Sequence, residues 1–183
     1  MNYFFCRQDL FSNIDTAEIS GHTADTGKYF WTSGMKIQEK IPLQVLDLDT
    51  EYGTKLPAFF DTSLPVMSSG LIDAFENAGV DNFDKYPVIL KRLDNGMEYA
   101  NYFAVNFIGC IDALDKEKTA IINESFRRYS HVVIDEKKTQ GFKCFRLKDG
   151  PSLLVVDENV KKKLENHDFY SLLLQKCEDY NQI

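Results

Sequence analysis

The sequence lacks the short motifs that mark most catalytic and metal-binding sites. Its three histidines, His22, His131 and His167, are widely separated, and none lies in the HExxH spacing of a zinc protease. It contains neither a glycine-rich phosphate loop nor the GxSxG turn that presents a nucleophilic serine. The sequence therefore predicts no catalytic residue, no cofactor-binding residue and no metal ligand.

Closely spaced cysteines are also missing. The four cysteines, Cys6, Cys110, Cys144 and Cys177, lie far apart in the chain, which excludes a CxxC metal or redox pair. Their neighbours are apolar or strand-like, and a free cysteine commonly packs as a small hydrophobic residue. We expect all four to be reduced core residues, as is usual inside cells.

Long apolar runs are absent and positive charge is scarce. No run approaches the roughly 20 residues that a membrane helix needs, and Arg7 and Asp9 interrupt the short apolar N-terminus, which does not resemble a signal peptide. The net charge of -7 disfavours nucleic-acid binding, which requires a basic face. These absences predict a cytoplasmic protein that binds neither membrane nor nucleic acid. The acidity permits a basic protein partner, although a role in solubility alone is the favoured interpretation.

The residues that are present predict a packed globular domain. The chain has 183 residues, of which 44% are hydrophobic and 14 are phenylalanine. A chain of this length can bury a substantial core in a single domain, which we place at residues 1–183. Strand-like runs outnumber helices, and turn signals separate several of them. This pattern favours an α+β fold with a mixed, mainly antiparallel sheet and a few packed helices.

The stretch from Pro65 to Asp115 has the clearest local signals. Ser68 or Ser69 is expected to cap a helix, because a serine hydroxyl can accept a hydrogen bond from the first turn. Apolar residues then recur at helical spacing until Gly79, which can adopt the left-handed conformation that ends a helix. The sequence therefore predicts a helix between these residues.

Two apolar runs follow this helix, at residues 86–93 and 99–108. Between them, Asp94-Asn95-Gly96 is typical of a tight turn, so we expect an antiparallel pair of strands. Pro87 has no N–H group and is therefore expected at the start of its strand or at a sheet edge.

Further strands are predicted from β-branched and aromatic runs elsewhere. They cover residues 3–6, 43–48, 131–135, 142–147 and 152–156. The run at 142–147 alternates apolar and basic residues, which favours a strand with one buried face. Asp157 is expected to cap a second helix, and residues 169–177 fit either a helix or a strand.

Three local features each leave a functional and a structural interpretation open. Tyr29-Phe30-Trp31 could stack on a ligand, although a buried strand is favoured because aromatic residues dominate protein cores. Asp112 and Asp115 could form a carboxylate pair, although turn formation and capping are favoured. Arg127 and Arg128 could contact an anion, but a surface pair is the ordinary interpretation.

Several short pieces occur in a fixed order between Pro65 and the C-terminus. They are Met67-Ser68-Ser69, Ala78-Gly79, Tyr86-Pro87-Val88, Tyr102-Phe103-Ala104-Val105-Asn106, Ile111-Asp112-Ala113-Leu114-Asp115, Val133-Ile134-Asp135-Glu136, Phe145-Arg146-Leu147 and Leu154-Val155-Val156-Asp157. With these pieces, the chain resembles a family of bacterial polymorphic-toxin immunity proteins, whose domain is named after a myxobacterial representative and was formerly described as a domain of unknown function. Residues 65–183 match best and residues 1–64 match loosely. The chain departs from the family at residues 167–170, where no glycine occurs in the expected turn.

The resemblance implies a bacterial protein that binds and neutralises a contact-delivered toxin without catalysing a reaction. The expected partner is a cognate protein toxin, and a basic nuclease would suit an acidic surface. Ser69, Gly79, Pro87, Asp112 and Asp115 are then expected to act through capping and turns. The alternative is a small-molecule-binding domain or a small enzyme, and a third possibility is a subunit of a larger assembly. The oligomeric state is left open.

Overall fold

Two large sheets, one of five strands and one of six, contain most of the regular structure. The computed structural model describes residues 1–20, 29–123, 125 and 128–181. Within these ranges the chain forms thirteen strands and two α-helices, and most strand pairs are antiparallel. The predicted α+β fold with a mixed, mainly antiparallel sheet is confirmed. His22 and Arg127 lie outside the described residues.

The five-stranded sheet, called the first sheet, brings the two ends of the chain together. Its order is β13 (Leu172–Lys176), β1 (Tyr3–Gln8), β12 (Gly150–Asp157), β11 (Cys144–Leu147) and β8 (Cys110–Ile111). All neighbours in it are antiparallel except β8 and β11. Residues 169–177, which fitted either a helix or a strand, thus contain a strand, β13, that pairs with the N-terminal strand.

The six-stranded sheet, called the second sheet, is built around the predicted hairpin. Its order is β2 (Glu18–Ile19), β3 (Gln44–Asp49), β6 (Phe83–Arg92), β7 (Glu98–Phe107), β5 (Val66–Ser68) and β4 (Phe59–Phe60). The β3–β6 pair is parallel, whereas β6 and β7 form the antiparallel hairpin. A separate short pair contains β9 (Ala120–Asn123) and β10 (Arg128–Ser130).

The first helix, α1, spans Ser69–Asn77 and begins as the sequence predicts. The Ser68 hydroxyl accepts a hydrogen bond of 3.3 Å from the N–H of Leu71, which identifies Ser68, not Ser69, as the cap. Gly79 ends the segment with a φ of +76°, a conformation that a side chain would strain. No helix in the described part of the chain is long and apolar enough to span a bilayer.

The second helix, α2, spans Glu158–Leu164 and begins at the predicted cap. One carboxylate oxygen of Asp157 accepts a 2.8 Å hydrogen bond from the N–H of Val160. Val160 and Leu164 are buried on one side of the helix, where α2 lies against α1. The core beneath these helices determines how the two large sheets sit together.

The core consists of three clusters separated by the two sheets. Alternate residues of β1 enter different clusters, because neighbouring side chains of a strand point to opposite faces. Phe4 and Cys6 enter the largest cluster, between the first sheet, the second sheet and both helices. Phe5 enters the cluster on the other face of the first sheet, and Trp31 lies in the third, on the far face of the second sheet. The first sheet is therefore buried on both faces.

The prediction of a strand at residues 131–135 is wrong. His131 has a φ of +56°, which an extended strand cannot contain, and β10 therefore ends one residue earlier. The backbone N–H of His131 donates instead to the carbonyl oxygen of Tyr180, at 2.7 Å. Ile134 forms an isolated antiparallel bridge with Leu114. The strand β9, just upstream, was not expected from the polar sequence around it.

Pro87 lies in the interior of its strand and not at its start. β6 begins at Phe83, and Pro87 pairs with Phe103 of β7 on one side. The register with β3 begins at Val88, so on that side the strand is still unpaired at Pro87. At Pro87 the strand therefore has a neighbour on one side only, which agrees with the expected edge position although β6 is an inner strand of the sheet.

Candidate functional site

A polar cleft opens where the two large sheets meet, and we call it the inter-sheet cleft. Its volume is about 420 Å³, and its wall includes Arg7 of β1, Asp61 after β4, Ser152 of β12 and Tyr180 near the C-terminus. The guanidinium carbon of Arg7 lies 5.5 Å from the centre of the Tyr180 ring. The fold thus brings ionisable groups together from distant parts of the chain.

Arg146 of β11 is a fully buried arginine beside this cleft. Its side chain is 0% exposed, and one terminal nitrogen donates a 2.8 Å hydrogen bond to the Ser152 carbonyl oxygen. Among the residues that the structure describes, Nε and the other terminal nitrogen have no hydrogen-bond partner. Burial lowers the pKa of Arg146, while the Asp61 carboxylate acts in the opposite direction. A buried charge with unused donors costs stability, which makes the site unusual.

The position of Arg146 corrects the expectation of one buried face for this strand. All four residues of β11 are buried, because the first sheet is covered on both sides. The alternation of apolar and basic residues was therefore misleading at Arg146, although Lys143 just before the strand is exposed. Nothing in the local sequence distinguishes this arginine from one on a solvated face.

Asp61 is a carboxylate whose pKa responds to the charges of both arginines. Burial raises the pKa of Asp61, and the positive charges of Arg146 and Arg7 only partly offset that effect. Its backbone N–H also donates to the side-chain oxygen of Gln8, at 3.3 Å. Asp61 therefore favours its protonated form more than an exposed aspartate does.

Replacing Asp61 with asparagine should change how stability depends on pH. With a folded pKa above the unfolded value of about 3.9, Asp61 contributes stability that is fully present below that value. This contribution is lost as pH rises through the folded pKa. We expect wild type to lose unfolding free energy relative to Asp61→Asn as pH rises toward neutrality, measured by denaturant unfolding. Asp73→Asn, on the exposed side of α1, is the control, and a pH-independent difference for Asp61→Asn would contradict the assignment.

A second feature is a corner of the molecule formed by residues 9–19 and 47–55, which we call the acidic corner. Hydrogen bonds fix its two segments to each other. Asp15 accepts from the N–H of Thr54 at 2.8 Å through its carboxylate and from the N–H of Lys55 at 3.3 Å through its carbonyl oxygen. Ala17 donates from its N–H to the carbonyl oxygen of Lys55 at 2.9 Å. The segments thus form one ordered surface.

Three large apolar side chains extend from this corner into solvent. Phe11 is 91% exposed, Ile14 is 87% exposed and Tyr52 is 76% exposed. Scattered exposed apolar residues are common, but several on one hydrogen-bonded corner are typical of a contact surface.

The same corner carries a concentration of negative charge. Its two segments contain six carboxylates and one lysine, namely Asp9, Asp15, Glu18, Asp47, Asp49, Glu51 and Lys55. Glu18 of β2 lies directly opposite Asp49 of β3. The two halves of the chain also differ in charge. Residues 1–84 contain 13 acidic and 5 basic residues, whereas residues 85–183 contain 15 acidic and 16 basic residues. The acidic surplus of the protein therefore resides in its first half.

The aromatic patch at Tyr29-Phe30-Trp31 does not form the predicted strand. Trp31 is buried, and its ring lies edge-on to Tyr29 at 5.9 Å and to Tyr86 at 5.5 Å between ring centres. Phe30 is 79% exposed. The core role expected of this patch is thus correct for Trp31 and wrong for Phe30, because the segment is irregular.

Asp115 has the turn-forming role that was favoured for the Asp112 and Asp115 pair. Asp115 accepts hydrogen bonds from the N–H groups of Glu117 and Lys118, at 3.2 and 3.3 Å, and thereby forms a turn. The Lys118 ammonium group also contacts its carboxylate at 2.9 Å. Asp112 is exposed. The two residues that motivated a catalytic alternative therefore lie outside the inter-sheet cleft.

The cysteines and the described histidines have structural surroundings. Cys6, Cys144 and Cys177 are buried, and burial raises the pKa of each of these thiols, as expected for core residues. Cys110 is only half-buried. His167 stacks on Phe169, with 5.1 Å between ring centres. Among residues 1–20, 29–123, 125 and 128–181, no group of three or more potential ligands is arranged to hold a metal ion.

Comparison with known proteins identifies the family of this chain. No curated protein matches it. The model of an immunity protein family (Imm11) matches residues 11–179, which includes most of the acidic corner and, of the inter-sheet cleft, Asp61 and Ser152 but neither Arg7 nor Tyr180. The match confirms the resemblance to immunity proteins and extends it through the N-terminal third, where the short sequence pieces gave only a loose match. The chain belongs to the immunity protein family (Imm11).

Proposed function

We propose that this chain acts in the cytoplasm as an immunity protein that binds and neutralises a cognate protein toxin without catalysing a reaction. The observation that carries the proposal is the family match over residues 11–179. An immunity protein requires only a surface that holds the toxin, across its active site or beside it. A toxin-binding role therefore needs none of the catalytic motifs that the sequence lacks.

The charge distribution supports a basic toxin as the partner. The first 84 residues contain 13 acidic and 5 basic residues, and six of these carboxylates belong to the acidic corner, where they favour the approach of a cation. Complementary charge speeds encounter and disfavours acidic competitors. A basic nuclease is one toxin class with suitable charge.

Complex formation with the toxin domain encoded beside this gene tests the proposal. We expect a stable complex of fixed composition, with an association rate constant that falls about tenfold or more as ionic strength rises. Stopped-flow or surface-based kinetics over a salt series measure both quantities. No detectable binding at micromolar concentrations would overturn the proposal, whereas salt-independent association would contradict only the basic partner.

The inter-sheet cleft supports a second candidate function, the binding of a small anion. Arg7 provides a guanidinium group in the cleft wall, and the buried Arg146 beside the cleft adds a second positive charge close enough to act on Asp61. Guanidinium groups bind carboxylate and phosphate through paired hydrogen bonds. Repeating the Asp61 stability series with added inorganic phosphate tests this candidate. A phosphate-dependent rise in the unfolding free energy supports it, and an unchanged unfolding free energy contradicts it.

A further inference from the structure

We propose that the acidic corner, residues 9–19 and 47–55, is the surface that holds the toxin. Its occupant would be a basic protein surface with an apolar depression that receives Phe11. This inference rests on the proposed function and specifies the part of the molecule that performs it. Three independent features of the corner support it: exposed apolar side chains, an ordered backbone and a surplus of negative charge.

The exposed apolar residues give the corner the composition of a binding surface. Phe11, Ile14 and Tyr52 stand on segments joined by a parallel bridge between Thr16 and Lys55. Binding energy at protein interfaces concentrates in a few such side chains, and tyrosine is among the residue types enriched there. A surrounding ring of charged residues is typical of the rim of an interface.

The loop that carries Phe11 is held in place by hydrogen bonds. One carboxylate oxygen of Asp9 accepts from the N–H groups of Phe11 and Ser12, at 3.1 and 2.9 Å. The carbonyl oxygen of Asp9 accepts a 2.6 Å hydrogen bond from the Ser171 hydroxyl, which ties the loop to the region before β13. Less conformational entropy is lost on binding when a loop is already ordered. The loop of the acidic corner that carries Phe11 is thus preorganised for binding.

The negative charge of the corner carries a cost that a partner would remove. Glu18 and Asp49 are directly opposite in the β2–β3 pair, and like charges at such positions destabilise a sheet. Lys55, the one lysine of the corner, lies 3.8 Å from the carboxylate of Asp15, where it offsets only part of the surplus. Basic residues of a bound protein would neutralise the remaining carboxylates. An unfavourable charge pair therefore points to a basic occupant.

Phe30 provides a matched comparison elsewhere on the surface. It is also a strongly exposed phenylalanine, at 79%. Its neighbours around the adjoining depression include Lys36 as well as Glu39, so its surroundings lack the acidic surplus of the corner. Truncating Phe30 removes a similar apolar area without touching the proposed contact surface.

Affinity measurements on Phe11→Ala and Phe30→Ala test the inference directly. The probe is the purified toxin domain encoded beside this gene, titrated with each variant by calorimetry. We expect Phe11→Ala to raise the Kd by roughly 30-fold or more, the effect of losing an interface hot spot. Phe30→Ala should bind as wild type does. Because both residues are exposed, both variants should fold.

A charge variant and the oligomeric state complete the test. Glu18→Lys should slow association with the toxin domain, since it reverses one charge of the corner. If wild type binds and both Phe11→Ala and Glu18→Lys retain wild-type kinetics, the corner is not the contact surface and the proposed function still stands. If wild type itself fails to bind, the proposed function fails. Self-association that Phe11→Ala abolishes would assign the corner to a second copy of this chain and overturn the inference.

Discussion

Replacing Phe75 with alanine is expected to lower the free energy of unfolding by about 3–5 kcal/mol. Phe75 is fully buried in α1, and its ring lies 5.4 Å from the ring of Phe107 on the second sheet. Truncation removes apolar contact and leaves a cavity that the rigid surroundings can fill only in part. Because native domains are stable by only about 5–15 kcal/mol, this one change removes a large share of the total.

Denaturant unfolding followed by circular dichroism measures that loss. Phe11→Ala is the matched control, because the same truncation at an exposed site should change stability by no more than about 0.5 kcal/mol. Comparing the stabilities of these two variants distinguishes a phenylalanine in the core from one on the surface. Similar losses for both variants would mean that α1 does not pack between the sheets as described.

Substituting alanine for Gly53 is expected to cost about 1–3 kcal/mol, the usual range for overpacking. A Cβ atom at Gly53 would lie 2.7 Å from the carbonyl carbon of Thr16 and still closer to the backbone atoms that precede it. Side-chain rotation cannot relieve this contact, since the neighbouring atoms belong to the backbone. The two segments of the acidic corner must therefore separate. Toxin affinity should fall with stability, because the corner loses its shape.

Gly70→Ala is the control for the Gly53 variant. Gly70 lies in the first turn of α1, where an added Cβ would meet only the Phe169 ring at an ordinary 3.8 Å. Alanine favours a helix over glycine, so this variant should keep or raise stability by up to about 1 kcal/mol. Thermal unfolding and toxin affinity are measured for both variants. Wild-type behaviour of Gly53→Ala would contradict the close approach of the two segments.

The elements that the sequence predicts well are those with local start and stop signals. Ser68 and Gly79 mark the ends of α1, and Asp157 marks the start of α2, because caps depend on neighbouring residues in the chain. The β6–β7 hairpin follows from the turn at residues 94–96 for the same reason. Short-range hydrogen bonds define the ends of these elements, so neighbouring residues are enough to predict them.

The errors arise where distant contacts decide the conformation. The segment at residues 131–135 reads as a strand, yet His131 is held in a left-handed conformation by contacts with Tyr180 and with the carbonyl oxygen of Glu178. Arg146 alternates with apolar residues as an exposed residue would, but two covered sheet faces bury it. Neither outcome is encoded within a few residues of the site.

The candidate surfaces were only partly accessible from the sequence. The acidic surplus of the first half could have been found by counting charges, and it would have indicated where a basic partner binds. The position of Phe11, Ile14 and Tyr52 on one corner could not have been predicted from the sequence. It depends on hydrogen bonds between segments about 40 residues apart. The convergence of Arg7, Asp61 and Arg146 likewise depends on how the two sheets meet.

Titration of toxin activity with this chain is the most direct test of a function by binding alone. A binder should reduce the activity in proportion to the amount added, reach full inhibition at a fixed molar ratio, and release intact toxin on dissociation. Mass spectrometry of the released toxin completes the measurement. Full inactivation by a small fraction of a molar equivalent, or a covalent change in the toxin, would show that this chain acts as an enzyme and would contradict the account.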